Sequence, residues 1–167
     1  MFKKALIALL MVPAMIFSLA ACAPAETGKV EVTGAWVRAS EYSDHAGGMT
    51  GVFMQITNNT DKTVTLIGGT SEIAPMVETH QVVDGVMSKK EGGIEIKPGE
   101  TVSLEPGGLH VMLMGLTEAI LVGTKVNLTL KFDGADDIVL PEMLAKTSES
   151  GDEDYDPSPM PMPESSN

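Results

Sequence analysis

Three side chains that can bind a soft metal ion alternate along one short apolar stretch of the chain. His110, Met112 and Met114 are each separated by an aliphatic residue, and glycines bracket the stretch. Alternation with period two is typical of a β-strand, so these three side chains are predicted to share one face. An imidazole beside thioethers favours Cu(I) over the hard cations that prefer oxygen ligands.

A second imidazole, His80, lies in a run of strand-like sequence over residues 76–83. Asp84 and Gly85 follow, a pair that favours a two-residue hairpin turn. The chain then returns through a short run that contains Met87. The pattern therefore predicts a β-hairpin that carries one imidazole on its first strand and one thioether on its second.

These residues form a candidate metal site made of His80, Met87, His110 and Met112. Two neutral imidazoles with one or two thioethers would give Cu(I) three or four ligands. Thioethers also avoid the disulfide formation to which thiols outside the cytoplasm are prone. Because catalytic metals keep an open coordination position, a closed site of this kind predicts a protein that holds the ion and passes it on.

The other methionines and the third histidine are weaker candidates. Met54, Met76 and Met143 are assigned to packing, since methionine more often fills a core than binds a metal. Met114 shares a predicted face with His110 and stays open as an alternative fourth ligand. His45 lies in a polar, glycine-containing loop and is a weak ligand candidate.

The N-terminus has the features of an export signal. Lys3 and Lys4 precede an apolar run over residues 5–19, and Leu-Ala-Ala then precedes Cys22. This order is typical of a secretory signal peptide, here residues 1–21, and its end resembles a bacterial lipobox. We therefore expect lipid attachment at Cys22 and a protein anchored on the extracytoplasmic side of a membrane in the bacterial cell envelope.

Composition excludes two classes of function. Cys22 is the only cysteine, and its thiol is expected to carry the lipid. The rest of the exported chain therefore lacks the thiolate that a blue-copper electron-transfer site needs. The formal net charge of −12 argues against nucleic-acid binding, which requires basic surfaces. Aromatic residues make up only 4%, and the single tryptophan, Trp36, is expected to anchor an aliphatic core.

The chain divides into a tether at residues 22–28, a β-domain at 29–145 and an acidic tail at 146–167. Many short strand-like runs separated by turn sequences predict an all-β antiparallel sandwich or barrel, with about eight or nine strands. The tail is expected to be disordered. Its methionines, Met160 and Met162, are expected to be solvated, the alternative being a weak collecting arm for copper.

Two local expectations concern the second and third strands. Turn residues at 58–61 separate strand-like runs at 49–57 and 63–67, which predicts a hairpin between them. The pair Gly68 and Gly69 is expected to end the second of these strands.

The stretch from His80 to Leu116 resembles the PCuAC family of periplasmic copper chaperones. Its most specific part is Glu-Pro-Gly-Gly-Leu-His-Val-Met-Leu-Met-Gly-Leu at 105–116. Further matching segments are 35–38, 77–80, 84–87, 92–96, 98–99 and 128–132, so the resemblance covers about residues 30 to 140. It implies a cupredoxin-like β-sandwich with Greek-key topology, bound Cu(I), and delivery of copper to cytochrome c oxidase during assembly, often with a thioredoxin-like copper-insertion protein.

The resemblance also implies ligand positions. His80, His110 and Met112 fall on those of the family, whereas the usual methionine of the hairpin is replaced by Lys89, which cannot bind copper while protonated. Met87 is two residues away and keeps the same strand face, so we expect it to substitute.

The competing interpretation is a membrane-anchored β-sandwich scaffold or adhesion lipoprotein whose histidines and methionines have no metal role. An enzyme is not expected, because the sequence shows no Ser-His-Asp pattern and no assignable pair of catalytic carboxylates.

Overall fold

Residues 28–41 and 48–147 are described by the computed structural model, and within them the chain forms ten β-strands and no α-helix. The strands are β1 (Val30–Arg38), β2 (Met49–Asn58), β3 (Val64–Thr70), β4 (Met76–Val83), β5 (Val86–Lys89), β6 (Ile94–Ile96), β7 (Thr101–Leu104), β8 (His110–Met114), β9 (Lys125–Asp133) and β10 (Ile138–Lys146). The all-β prediction is confirmed, with ten strands in place of the expected eight or nine.

Several predictions concern other parts of the chain. The signal peptide, Cys22, His45 and the tail methionines Met160 and Met162 lie outside the described residues. Within the part that the structure describes, no helix is long and apolar enough to cross a membrane.

The strands follow one hydrogen-bonded path in the order β5-β4-β8-β2-β1-β10-β9-β3-β6, and β7 pairs with β2 beside β8. All neighbouring pairs are antiparallel except β1 and β10, whose Val37 and Arg38 pair in parallel with Ala145 and Lys146. The two ends of the path bury their inner faces against each other around one aliphatic core. The site strands β4 and β8 therefore lie near one end of the path, beside the edge strand β5.

Alternation decides which side chains of each strand enter this core. On β8, Val111 and Leu113 are core residues, so His110, Met112 and Met114 project from the opposite, outer face of the sheet.

Two of the methionines assigned to packing are indeed buried in the core. Met54 on β2 and Met143 on β10 are both almost fully buried and belong to the core cluster, which confirms their assignment.

The predicted hairpin between β2 and β3 does not form. The Asn58 side chain donates hydrogen bonds from Nδ2 to the carbonyl oxygens of Lys62 and Ile96, at 2.8 and 2.9 Å. These bonds hold a turn that carries the chain from β2, in one half of the strand path, to β3 in the other half, where β3 pairs with β6 and β9. The turn sequence was thus correctly recognised, but its two flanking strands have different neighbours.

Gly68 and Gly69 do not end β3, which continues to Thr70 with an irregularity at Gly68. A Cβ atom on Gly68, whose φ is 136°, would lie 2.6 Å from the carbonyl oxygen of Val77. A Cβ atom on Gly69 would lie 2.5 Å from the carbonyl oxygen of Thr129. The two glycines are therefore needed because neighbouring backbones approach closely, as glycine inside a strand often indicates.

Candidate metal site

The two histidines of the candidate site face each other across neighbouring strands. His80 on β4 is the direct cross-strand partner of His110 on β8, so the two imidazoles share the outer face of the sheet. Their ring centroids are 5.9 Å apart at an interplanar angle of 44°. Both residues are almost fully buried, with exposed fractions of 4% and 1%. The structure thus brings together two residues that are far apart in the sequence.

Hydrogen bonds indicate which ring nitrogens carry lone pairs. His110 Nδ1 lies 3.1 Å from the carbonyl oxygen of Gly108, which can only accept, so the neutral ring carries its proton on Nδ1 and its lone pair on Nε2. His80 Nε2 lies 3.3 Å from a carboxylate oxygen of Glu78, which places its lone pair on Nδ1. That Nδ1 is buried and has no hydrogen-bond partner among the described residues. Each imidazole therefore offers one nitrogen suited to a metal, with the other nitrogen oriented by a hydrogen bond.

Glu78 links the site to Lys89. The Lys89 ammonium donates to Glu78 Oε1 at 2.8 Å, and Lys89 is also the direct cross-strand partner of His80. The hydrogen bond from Lys89 lowers the pKa of Glu78, and the same bond raises the pKa of Lys89. Lys89 is therefore held toward Glu78 in its charged form, and an ammonium has no lone pair for a metal.

Met112 lies one step along the outer face from the two imidazoles. Its side chain is fully buried, and its cross-strand partners are Glu78 on β4 and Gly51 on β2. Relative to His80 it occupies a diagonal position, where residues are about 7–8 Å apart and long side chains still meet. The predicted grouping of two imidazoles with one thioether is therefore compatible with the sheet register.

An aromatic wall closes the β2 side of the site. The ring of Phe53 lies 6.2 Å from that of His110 and 4.7 Å from that of Trp36, centroid to centroid. The Arg38 guanidinium lies 5.6 Å from the Phe53 ring centroid, within the range of a cation–π interaction. A Cβ on Gly51 would lie 2.7 Å from the end of the Phe53 ring, so glycine at this position leaves space for the ring.

The position of Trp36 corrects one prediction. It was expected to anchor the core, but its neighbour Val37 points inward, so Trp36 packs on Phe53 at the outer face. Phe53, Gly51 and Glu78 were missed by sequence reasoning. The alternation within β2 could have indicated Phe53, since Val52 and Phe53 must point to opposite faces.

Met87 lies on the predicted face of the sheet but is not level with the two imidazoles. Its cross-strand partner on β4 is Val82, so it is a diagonal neighbour of His80 on the side away from Met112. Ideal sheet spacings separate the Cα atoms of Met87 and Met112 by about 16 Å. At this spacing the two thioethers do not meet at one ion in the observed arrangement, in which β4 is held on β8.

Met114 and Met76 lie farther along the outer face. They are direct cross-strand partners, and Met114 is separated from His110 by four residues, or about 13 Å along the strand. The structure therefore does not bring Met114 to the imidazole pair. Met76 was assigned to packing, but it lies on the outer face and is 49% exposed, so that assignment is wrong.

The donor set at the site combines nitrogen and sulfur. Within residues 28–41 and 48–147, no group of three or more His, Cys, Asp and Glu side chains is placed to hold a metal ion. Two imidazole nitrogens with a thioether suit a soft ion such as Cu(I).

A family model described as "Putative lipoprotein LpqE-like" matches residues 30–141. The chain is also 36% identical over 111 residues to the putative lipoprotein Lxx21020 of Leifsonia xyli subsp. xyli. That match spans 64% of this chain and 64% of the length of the relative.

Solved structures of PCuAC domains have the same fold. The copper-bound PCuAC domain from PmoF2 has a TM-score of 0.58 at 24% identity, over 71% of this chain and 94% of that one. The solution structure of CuI-DR1885 from Deinococcus radiodurans has a TM-score of 0.55 at 27% identity, over 76% of this chain and 83% of that one. The cupredoxin-like fold expected from the sequence resemblance is thereby confirmed, while the family model that matches is the LpqE-like one.

Proposed function

Because the chain belongs to the LpqE-like family of putative lipoproteins and shares its fold with PCuAC domains, we propose that it is an extracytoplasmic copper chaperone. The observation that carries this proposal is the buried pair of imidazoles, His80 and His110, with fully buried Met112 beside it. The CuI form of DR1885, at 27% identity, supports Cu(I) as the cargo.

The proposed ligands are His80 Nδ1, His110 Nε2 and the Met112 sulfur. Three-coordinate Cu(I) is satisfied by such a set of neutral nitrogen and thioether donors. Met87 is the proposed fourth ligand, and its binding requires β5 to move toward the imidazoles while β4 stays paired with β8. In this proposal the ion pair of Lys89 and Glu78 lies beside the site and does not coordinate the metal ion.

Burial of the ligands favours transport of the ion over catalysis. His80, His110 and Met112 are each almost fully enclosed by protein, whereas a catalytic metal keeps a position open for water or substrate. We propose that the ion passes to a copper-accepting protein, either cytochrome c oxidase during its assembly or a thioredoxin-like copper-insertion protein. Lipidation at Cys22 would hold the chaperone at the extracytoplasmic membrane surface in the bacterial cell envelope.

An anaerobic Cu(I) titration against a coloured chelator tests the proposal. It uses the chain from residue 22 onward with Cys22 replaced by serine, so that no thiol competes. We expect one tight equivalent of Cu(I) and weak Zn(II) binding. The fluorescence of Trp36, the only tryptophan, should also change, because Trp36 packs on Phe53 beside His110. Absence of tight Cu(I) binding, or a preference for Zn(II), would contradict the chaperone and favour the anchored scaffold.

The substitution Lys89→Met is expected to tighten Cu(I) binding about tenfold, a shift of about 1.4 kcal/mol. It places a thioether directly opposite His80, one step closer to Met112 than Met87 is. The ion pair that it removes is partly exposed, with side-chain exposures of 50% for Lys89 and 26% for Glu78, and such pairs contribute little to stability. Competition with the chelator measures the change.

Ser88→Met is the matched control for Lys89→Met, because it adds a thioether on the opposite face of the same strand and should leave the affinity unchanged. An unchanged affinity in Lys89→Met as well would contradict the prediction, because it would mean that a thioether opposite His80 does not reach the ion.

A further inference from the structure

Three methionines form a row across three neighbouring strands. Met49 on β2 and Met76 on β4 are both direct cross-strand partners of Met114 on β8. Met114 lies on the outer face of the sheet because its neighbour Leu113 points into the core, and its direct cross-strand partners Met49 and Met76 share that face. We call Met49, Met76 and Met114 the methionine row.

The geometry of the methionine row allows its sulfurs to meet. Directly opposed residues have Cβ atoms about 4.5–5.5 Å apart, so three flexible thioethers can converge above the central strand. Met114 is 4% exposed, whereas Met49 and Met76 are 37% and 49% exposed. The central member of the row, Met114, is therefore buried, and the two outer members are accessible to solvent.

Packing does not explain the two outer members of the row. Methionine usually fills gaps in a core, yet Met49 and Met76 are both exposed to solvent and lie outside the core cluster. Three neutral thioethers without a carboxylate among them suit a soft monovalent cation and give little affinity for hard or borderline ions.

We propose that the methionine row is a second, solvent-accessible site for a soft monovalent metal ion. Met112 lies between the row and the imidazole pair, two residues from Met114 and two residues from His110. The row would accept Cu(I) from solution and pass it by way of Met112 to His80 and His110. Metal binding by the row stands on its own residues, whereas the transfer step rests on the proposed chaperone function.

Titration with Ag(I), followed by NMR of methionine methyl groups labelled with carbon-13, tests the row directly. In the chain from residue 22 with Cys22→Ser, we expect the first equivalent to shift the Met112 methyl and the second to shift those of the row. In the double variant Met49→Leu/Met76→Leu, the second equivalent should bind at least about tenfold more weakly. A Met114 methyl that does not respond to Ag(I) in the parent chain would overturn the proposal.

The matched control is Met54→Leu/Met143→Leu, which removes two core thioethers and should leave both equivalents in place. Resonance assignment separates the row from Met160 and Met162 of the tail. A second equivalent that shifts only the two tail methyls would also overturn the proposal.

A second variant separates failure of the row from failure of the chaperone function. In His80→Ala/His110→Ala, the row should still bind one Ag(I). In the parent chain, binding of metal by the methionine row without any binding at the imidazoles would refute the chaperone function and leave the proposal for the row intact. Tight binding at the imidazoles without any response at the row would refute the row alone.

The transfer step has a kinetic readout. Loading of the imidazole pair with Cu(I) from a weak donor complex should slow about tenfold in Met49→Leu/Met76→Leu, while the equilibrium affinity of the first equivalent stays unchanged. An unchanged loading rate would overturn the transfer step.

Discussion

Replacement of His110 by alanine is expected to abolish tight binding of Cu(I), with a loss of affinity of about 100-fold or more. The substitution removes Nε2, the ring nitrogen whose lone pair is set by the hydrogen bond between Nδ1 and Gly108. His80 and Met112 would remain as an incomplete pair of donors. Anaerobic competition with a Cu(I) chelator measures the loss, and the fluorescence response of Trp36 should disappear with it.

The control for this experiment is Gln81→Ala, which alters the residue next to His80 on the opposite face of β4. Circular dichroism and thermal unfolding of both variants show whether the fold persists. Cu(I) affinity that is equal in His110→Ala, Gln81→Ala and the parent chain would mean that the imidazole pair does not bind the ion.

The second large effect is expected for Met112→Leu, in which Cu(I) affinity should fall about 10- to 100-fold. Leucine has nearly the volume of methionine, and such exchanges usually cost less than about 1.5 kcal/mol of stability. The substitution therefore removes the sulfur while the fully buried position stays filled. The measurement pairs a Cu(I) titration with chemical unfolding, so that binding and stability are read separately.

Met54→Leu provides the comparison, because Met54 is also almost fully buried but points into the core. It should lose a similar small amount of stability and no metal affinity. A loss of affinity in Met54→Leu as large as in Met112→Leu would show that the effect comes from packing and would remove Met112 from the ligand set. Met112→Ala is less informative, because a cavity at this position is expected to cost about 2–5 kcal/mol.

Local features of the site could be predicted from the sequence because they depend on neighbouring residues. The alternation around His110 fixed which of its neighbours face inward, and Val111 and Leu113 indeed lie in the core. The Asp84-Gly85 turn forms with positive φ angles of 52° and 78°, as a tight two-residue hairpin requires.

Features that depend on distant strands could not be predicted in the same way. The pairing of His80 with His110 is set by the register of β4 on β8, which no local pattern encodes. The same reason explains the failed hairpin, since Asn58 finds a partner in Ile96. Trp36 was misassigned because hydrophobicity alone does not distinguish an aromatic that covers a site from one that fills a core.

The separation of the two faces of β8 has a consequence for how this protein can change over time. Substitutions at Val111 and Leu113 alter the packing of the core, whereas under the proposed function those at His110 and Met112 alter the metal ligands. Under the proposed function, exchanges that keep the buried volume of the outer face, such as Met112→Leu, would change the metal preference while the core face stays unaltered. Alternate residues of the strand would then meet the requirements of folding and of metal selection, as long as the outer face stays filled.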